Sequence, residues 1–412
     1  MTVTVRPRLV VEMTLGTLAT ADTSGLFILG TSVLGGTDVL GTALWQDVTD
    51  DLVSVSISPD ATGPLDSPSP TTCTVILENY TGDYDPLNTG SPYFGALDIG
   101  QQVRITAVDD PSTTVWPVWF GYIDDISPDY GFEPTVTFSC SDGLAALGRA
   151  RISEVAPVFA GDSTGTRIGR ILDLALWPTS LRSLDTGVVT VQDDTFGDFA
   201  LPLAARIVAT ELGALFASAD GNMVFYDRLQ VYTSARSTSV QATFSDSGTD
   251  IDFPELTGAA KRSETFNEVR VTRDGGVEQI ASDTASQALR GLLTFTGSVG
   301  TMAQTDVDAA STASFVLARF VDPAVRFPQI DVDATTQGLW DTLLNLQRFD
   351  RVQVDRTYGT ADVAMSRQAL ISGIGHQITA DQWQMSFVLR DAESFSPFIL
   401  GTSSLGGTDL LV

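Results

Sequence analysis

Residues 121–129 read GYIDDISPD and residues 373–381 read GIGHQITAD, and the two segments align without a gap. They pair Gly121 with Gly373, Ile126 with Ile378, Ser127 with Thr379 and Asp129 with Asp381. Each is preceded by a strand-like run (QQVRIT at 101–106, DRVQVD at 350–355) and followed by another (TVTFS at 135–139, QMSFVL at 384–389). The order strand, crossing segment, strand thus occurs twice. It predicts that residues 101–139 and 350–389 are equivalent elements of two related β-barrels. Short strands also resemble one another by chance, so coincidence stays open beside duplication at this level.

Outward from the first copy, residues 1–150 are nearly all strand-like. Apolar residues alternate at Val53, Val55 and Ile57, at Cys73, Val75 and Leu77, at Val103 and Ile105, and at Val136 and Phe138, the period of half-buried strands. Between them lie SPDATGPLDSPSP and TGDYDPLNTGSPY, rich in residues that hold tight turns. The character changes after DGLAALGRARI. Ile168, Ile171, Leu172, Ala175 and Leu176 fall at helical spacing and Pro178 stops the run. A second helix is expected from near Pro202 to near Gly213, followed by a hairpin turning at Asp220 and Gly221. In this small α/β module Ile168, Ile171, Leu172 and Leu176 are expected to face Phe216 and Val224 of the hairpin. Strands return near residue 265, with a hairpin at Gly275 and Gly276. Thr305 and Asp308 then resemble a capping box opening a helix whose face is Val307, Ala310, Ser314 and Leu317. A shorter apolar cluster, Leu339, Trp340, Leu343 and Leu344, precedes the strand RVQV.

At 412 residues the chain exceeds the roughly 250 that one core usually serves. The expected fold is mainly β with an α/β insertion, divided into five parts. These are N-terminal strands and an arm (1–45), a first barrel (46–155), the inserted module (156–250), a second barrel with a helix (251–397) and a second arm (398–412). The arms are defined by a second repeat: FILGTSVLGGTDVL at 27–40 returns as FILGTSSLGGTDLL at 398–411, differing only at Val33/Ser404 and Val39/Leu410. Leu29, Leu34 and Leu40, with Leu400, Leu405 and Leu411, are interrupted by Gly30, Gly35 and Gly36 and by Gly401, Gly406 and Gly407, a spacing that fits neither helix nor clean strand. These twelve residues form candidate docking elements. Whether they dock on partner proteins or fold back onto the chain's own two barrels is open.

The 51 carboxylates against 23 basic residues give a formal charge of −28, a field that opposes binding to a phosphate backbone. Lys261 is the only lysine, a usage that suits a GC-rich genome or a salt-adapted host. The start of the chain lacks a basic head and apolar core, and no stretch is apolar enough to span a bilayer as a helix, so neither a signal peptide nor a membrane segment is expected. Cys73 and Cys140 sit in apparent strands and are expected as buried free thiols.

Chemistry finds little support. One histidine and two distant cysteines do not make a zinc site of the usual kind. His376, the single histidine, lies in the strand-like ISGIGHQIT, with no nucleophile-elbow motif to serve, and is expected as a half-buried or surface residue. No phosphate loop or dinucleotide fingerprint appears, so no cofactor is expected. DYDPLN at 83–88 lacks the glycine and distal acid of a calcium loop and reads as Asx turns. Carboxylate pairs for glycoside hydrolysis could be drawn from so many acids, but abundance is no signal.

With these residues in place the chain resembles the minor tail or tail-hub proteins of long-tailed phages, and more distantly the trimeric hub of contractile-phage baseplates. The resemblance runs in order through VILENYTGDYDPLNTGSPYFGALDIGQQVRI (75–105), FGYIDDISPDY (120–130), SCSDGLAALGR (139–149), RIGRILDLALWP (167–178), TELGALFASADGNMVFYDR (210–228), FNEVRVTR (266–273) and GIGHQITADQWQMSFVLRDA (373–392). It implies two barrels per chain and a homotrimer whose six barrels form a pseudo-sixfold ring at the distal tail tip, assembled in the host cytoplasm. Its partners would be a distal tail ring protein, the tail tube, other tail-tip proteins and the tape measure protein. It carries no catalytic residues, so the expectation is a structural protein and not an enzyme. The duplicated FILGTS segment is not part of the family pattern. The alternatives are a hexameric distal-tail ring protein, which needs only one barrel per chain, and a cell-wall glycosidase of the tail tip.

Overall fold

The computed structural model describes residues 5–15, 45–59, 65, 67–110, 112–153, 160–248, 250–258, 264–322, 326–358 and 363–392. Both copies of the FILGTS segment lie outside these residues.

The first seven strands are β1 (Arg8–Met13), β2 (Gln46–Asp47), β3 (Leu52–Ile57), β4 (Thr72–Glu78), β5 (Gln102–Asp109), β6 (Thr114–Asp129) and β7 (Thr135–Ser141). Their order in the sheet is β3-β4-β7-β6-β5-β1-β2, antiparallel throughout. The two ends of that order are consecutive in the chain: β2 runs through a single 3₁₀ turn, Thr49–Asp51, into β3, so the sheet closes on itself covalently. Val11 fixes the closure, accepting from the Val48 amide at 2.9 Å and donating to the Thr49 hydroxyl at 2.9 Å. Alternate residues point inward, among them Val75, Ile105 and Phe138, all fully buried. Burying each contributes on the order of 1.5–3 kcal/mol. Cys73 and Cys140 face each other across β4 and β7 as free, buried thiols, and burial raises the pKa of both. The expected alternation fails at one residue. A register shift between Leu52 and Ser54 turns Val53 outward.

The module follows as α1 (Gly143–Arg149), β8 (Asp162–Ser163), α2 (Thr164–Leu174), β9 (Arg182–Leu184), β10 (Thr190–Val191), α3 (Ala200–Glu211), β11 (Ala214–Ala217) and β12 (Met223–Tyr226). The Ser163 hydroxyl caps α2 by accepting from the Thr166 amide. Ile168, Ile171 and Leu172 are fully buried, as their spacing predicts, but Leu176 is 88 % exposed. The helix stops at Leu174, and Leu176 takes a left-handed φ of 59° while the Trp177 amide reaches back to the Leu172 carbonyl at 2.9 Å. That reversal throws Leu176 out and tucks Trp177 in. The hairpin parity also differs from expectation. Leu215 and Phe225 pack with the helices, whereas Phe216 and Val224 face a separate cluster shared with the second half of the chain.

Two short helices, α4 (Gln230–Thr233) and α5 (Ala235–Thr238), lead to β13 (Val240–Ser245). Next come the hairpin β14 (Glu268–Val271) and β15 (Gln279–Ser282), then α6 (Thr284–Arg290) and α7 (Asp306–Phe320). The capping box at Thr305 and Asp308 is present. The buried residues of α7 are Ala309, Thr312, Ala313, Phe315, Val316 and Arg319, not the expected Val307, Ala310, Ser314 and Leu317; Val307 is 77 % exposed. Thr312 supplies the reason. Its hydroxyl accepts from buried Arg228 at 3.3 Å, so a polar residue occupies the core-facing position.

The chain closes with β16 (Gln329–Asp333), α8 (Ala334–Gln337), α9 (Trp340–Asn345), β17 (Arg351–Tyr358), β18 (Val363–Thr379) and β19 (Trp383–Asp391). Their sheet runs β13-β17-β18-β19-β16, with β13 parallel to β17, and it curls enough to bring Phe244 of β13 edge-on to Phe387 of β19, ring centroids 5.3 Å apart. Here the sequence repeat becomes visible. In β6 residues Thr114–Tyr122 pair with the preceding strand and Tyr122–Asp129 with the following one. In β18 residues Val363–Leu370 pair with the strand before and Ala369–Ile378 with the strand after. The strand order is the same in both, although the changeover falls at Ala369 and Leu370 and not at Ile374, which the gapless alignment pairs with Tyr122. Residues His376–Thr379 of β18 also pair with Ile57–Ser54 of β3, joining both halves into one twelve-stranded sheet around one continuous apolar core. The protein is therefore mainly β, with an α/β insertion.

Replacing Leu172 by Ala is expected to cost about 2–5 kcal/mol in urea unfolding. Replacing Leu176 by Ala should leave the midpoint within error, the reverse of what helical spacing alone implies.

Candidate functional site

The β6 sequence TVWPVWF (114–120) places three large aromatics in seven residues. A register shift between Ile105 and Thr106 changes the side-chain alternation midway, and Trp116 and Trp119 both end buried. Beside them lies a cavity of about 480 Å³, bounded by β6, by the β11–β12 hairpin and by the segment that links α9 to β17. Its wall includes Trp116, Phe120, Phe216, Leu346, Arg348 and His376, so all three parts of the chain contribute to it. Arg348 lies over the Phe216 ring at 5.2 Å, a cation–π contact spanning the module and the second half. Asp142 lines the same cavity, but its carboxylate is committed. It caps α1 through the Leu144 amide at 2.9 Å and accepts from the Thr71 amide, at 2.9 Å, and from the Thr71 hydroxyl. Burial raises its pKa, against the pull of those bonds.

His376 is the one imidazole at the cavity. It is buried, and its Nδ1 accepts from the Trp383 indole at 3.1 Å, which fixes the neutral tautomer with the proton on Nε2. Burial lowers its pKa to about 4. The residue is therefore a structural acceptor linking β18 to β19 and is more buried than the half-buried or surface placement its sequence suggests.

A buried ionic pair organises the module and, through Arg228 and Thr312 of α7, ties it to the second half. Glu211 Oε2 accepts from the Thr164 hydroxyl at 2.6 Å and from the amides of Val188 and Val189 at 3.1 and 3.0 Å. Arg228 lies 3.5 Å from Oε1 and donates to the Glu211 carbonyl at 2.7 Å. Every one of these groups is satisfied, the condition under which buried charge is tolerated. Nothing in the sequence marked either residue, because one Glu and one Arg among so many charges carry no pattern.

The twelve candidate docking residues, Leu29 to Leu40 and Leu400 to Leu411, lie outside the described residues. The DYDPLN run does form Asx turns, with Asp85 accepting from the Leu87 amide at 2.9 Å and Asn88 from the Gly90 amide at 3.0 Å. Among the described residues no group of three or more His, Cys, Asp or Glu side chains is placed to hold a metal ion, and no helix is long and apolar enough to cross a membrane.

No family model matches the chain, and no curated protein matches it by sequence. Solved structures do. A tail protein of Neisseria meningitidis MC58 matches with a TM-score of 0.57 at 12 % identity, covering 85 % of this chain and 95 % of its own. The fold is that of prophage tail proteins. The 43 kDa tail protein of prophage MuSo2 from Shewanella oneidensis matches at TM-score 0.54 and 15 % identity over 86 % of this chain and 97 % of its own. A component of the Escherichia coli type VI secretion system, described as similar to bacteriophage T4 tail proteins, matches at TM-score 0.46 and 10 % identity over 84 % and 76 %.

The buried imidazole sets a pH dependence. Between pH 6.5 and about 4 the unfolded chain binds a proton that folded His376 refuses, so stability is full above pH 6.5 and falls as pH drops through that window. The loss approaches about 3 kcal/mol. Urea titrations at pH 7.5 and 4.5 should show a larger loss for the parent protein than for His376→Gln; equal losses would exclude this role.

Proposed function

We propose that the protein is a structural component of a viral tail: a trimeric hub at the distal tip that adapts a sixfold tail ring to a threefold end and encloses the tail channel. The observation that carries this is a tail-protein fold matched nearly end to end, with strand order repeated around β6 and β18. A chain with two related barrels presents six in a trimer, whereas a hexameric ring protein would need only one per chain. The acidic charge of −28 suits a channel past which DNA slides without sticking.

The repeated FILGTS segments fit the same symmetry. Three chains with two copies each offer six near-identical docking elements to a sixfold neighbour, so that no alternate site is left empty. In sequence, one copy stands between β1 and β2 and the other after β19. Leu29, Leu34, Leu400 and Leu405 would enter apolar grooves, or the segments would pair with a sheet edge through backbone bonds.

Light scattering of the purified protein should give three chain masses, and immunogold should label one end of purified tails. Six masses would favour the distal-ring reading. Removal of residues 398–412 should leave the trimer intact and abolish its binding to the ring protein; a chain that fails to fold or assemble would mean that the segment docks on the hub itself.

A further inference from the structure

The connection from β4 to β5, residues 79–101, contains no helix or strand, yet its own bonds hold it in one shape. Amides reach back three residues in succession: Gly82 to Asn79, Asp85 to Gly82, Asn88 to Asp85, Ser91 to Asn88 and Phe94 to Ser91, at 3.0–3.2 Å. Tyr84 and Leu97 anchor it in the barrel core, and the Tyr84 hydroxyl donates to Asp51 at 2.6 Å. The loop also ties itself to the β6–β7 hairpin. The Asn79 amide donates to the Pro134 carbonyl at 2.9 Å, and the Gly100 amide donates to the Ile123 carbonyl at 2.7 Å.

This self-bonded loop and the β6–β7 hairpin together expose large apolar side chains. Tyr80, Leu87, Phe94, Ile99, Tyr130 and Phe132 are 51–99 % exposed, Phe132 at the hairpin tip most of all. Six such residues on a rigid, self-bonded loop and hairpin are what a protein interface uses, since the conformational cost of binding is already met in the free chain. The charge around them has one sign. Residues 78–101 and 124–134 hold eight carboxylates and no Arg or Lys, and Arg149 reaches in from α1 to pair Asp124 at 2.7 Å.

We infer that this loop-and-hairpin surface is a docking face for a protein whose own apolar patch is rimmed with basic residues; resting on the tail reading above, that protein is a neighbouring tail component and not a second copy of this chain. The same face on two copies would oppose carboxylate to carboxylate. Among the described residues, fourteen arginines already pair with carboxylates of the same chain.

The test uses the full chain against the purified distal-ring and tail-tube proteins of the same virus, by interferometry at low and high salt. Phe132→Ser with Leu87→Ser, and separately Asp98→Lys with Glu133→Lys, should each weaken binding about tenfold or more while thermal melting stays unchanged. High salt should weaken the parent more than the charge-reversed variant. Variants that bind as the parent does overturn the inference, and so do variants that instead break the chain's self-association in sedimentation. It also falls if the parent binds neither protein although the chain is present in purified tails. Absence of the chain from tails overturns the functional reading, and this inference with it.

Discussion

Four residues of β18 lie beside four residues of β3, and the rest of the molecule depends on that contact. Without it the seven-stranded ring and the curled five-stranded sheet would be separate bodies, each leaving an unpaired strand edge. With it, backbone bonds run continuously from β13 to β2, and Ile57, Trp383 and Met385 belong to one core. His376 sits at this seam, between Ile57 and Met385. An imidazole is buried there because the Trp383 indole gives it a hydrogen bond that water would otherwise supply.

The module is held by different physics. Its three-stranded sheet is apolar on both faces: Leu215 and Phe225 meet the helices, Phe216 and Val224 meet α7 and the second half. A sheet buried on both sides has no polar face to orient it. Orientation comes instead from Glu211 and Arg228, which bond in specific directions where apolar contact does not, and Arg228 reaches Thr312 on α7. The cavity lies where the module, the ring and the second half fail to fill the space between them, and Arg348 over Phe216 spans part of that gap.

Strand content, hairpins, caps and buried thiols were legible in the sequence because each has a local signature: period-two alternation at Cys73, Val75 and Leu77, a glycine at the Gly221 turn, Thr305 three residues before Asp308. What was misread depends on the tertiary setting. Val53 follows the alternation rule until a register shift turns it outward. Leu176 follows the helical rule one residue too far, because a left-handed reversal at a leucine gives no glycine to announce it. The face of α7 was rotated because Thr312 reads as a surface residue until its partner Arg228 is known. The cavity was not visible in advance, because the aromatic run around Trp116 and Phe120 meets residues from distant parts of the chain.

The partners at the seam, Ile57 and His376, stand 319 positions apart (376 minus 57). Contacts of such long separation slow folding, because most of the chain must be gathered before they form. During synthesis the wait is longer still. At about 5–20 residues per second, β3 emerges roughly a quarter of a minute to a minute before its neighbour β18 exists. For that interval the ring carries a bare edge able to accept any extended strand nearby, including β18 from another nascent chain. Exchange of β18 between chains would leave every pairing intact while linking the wrong molecules, so crowding on the ribosome acts directly on the yield of correctly closed chains.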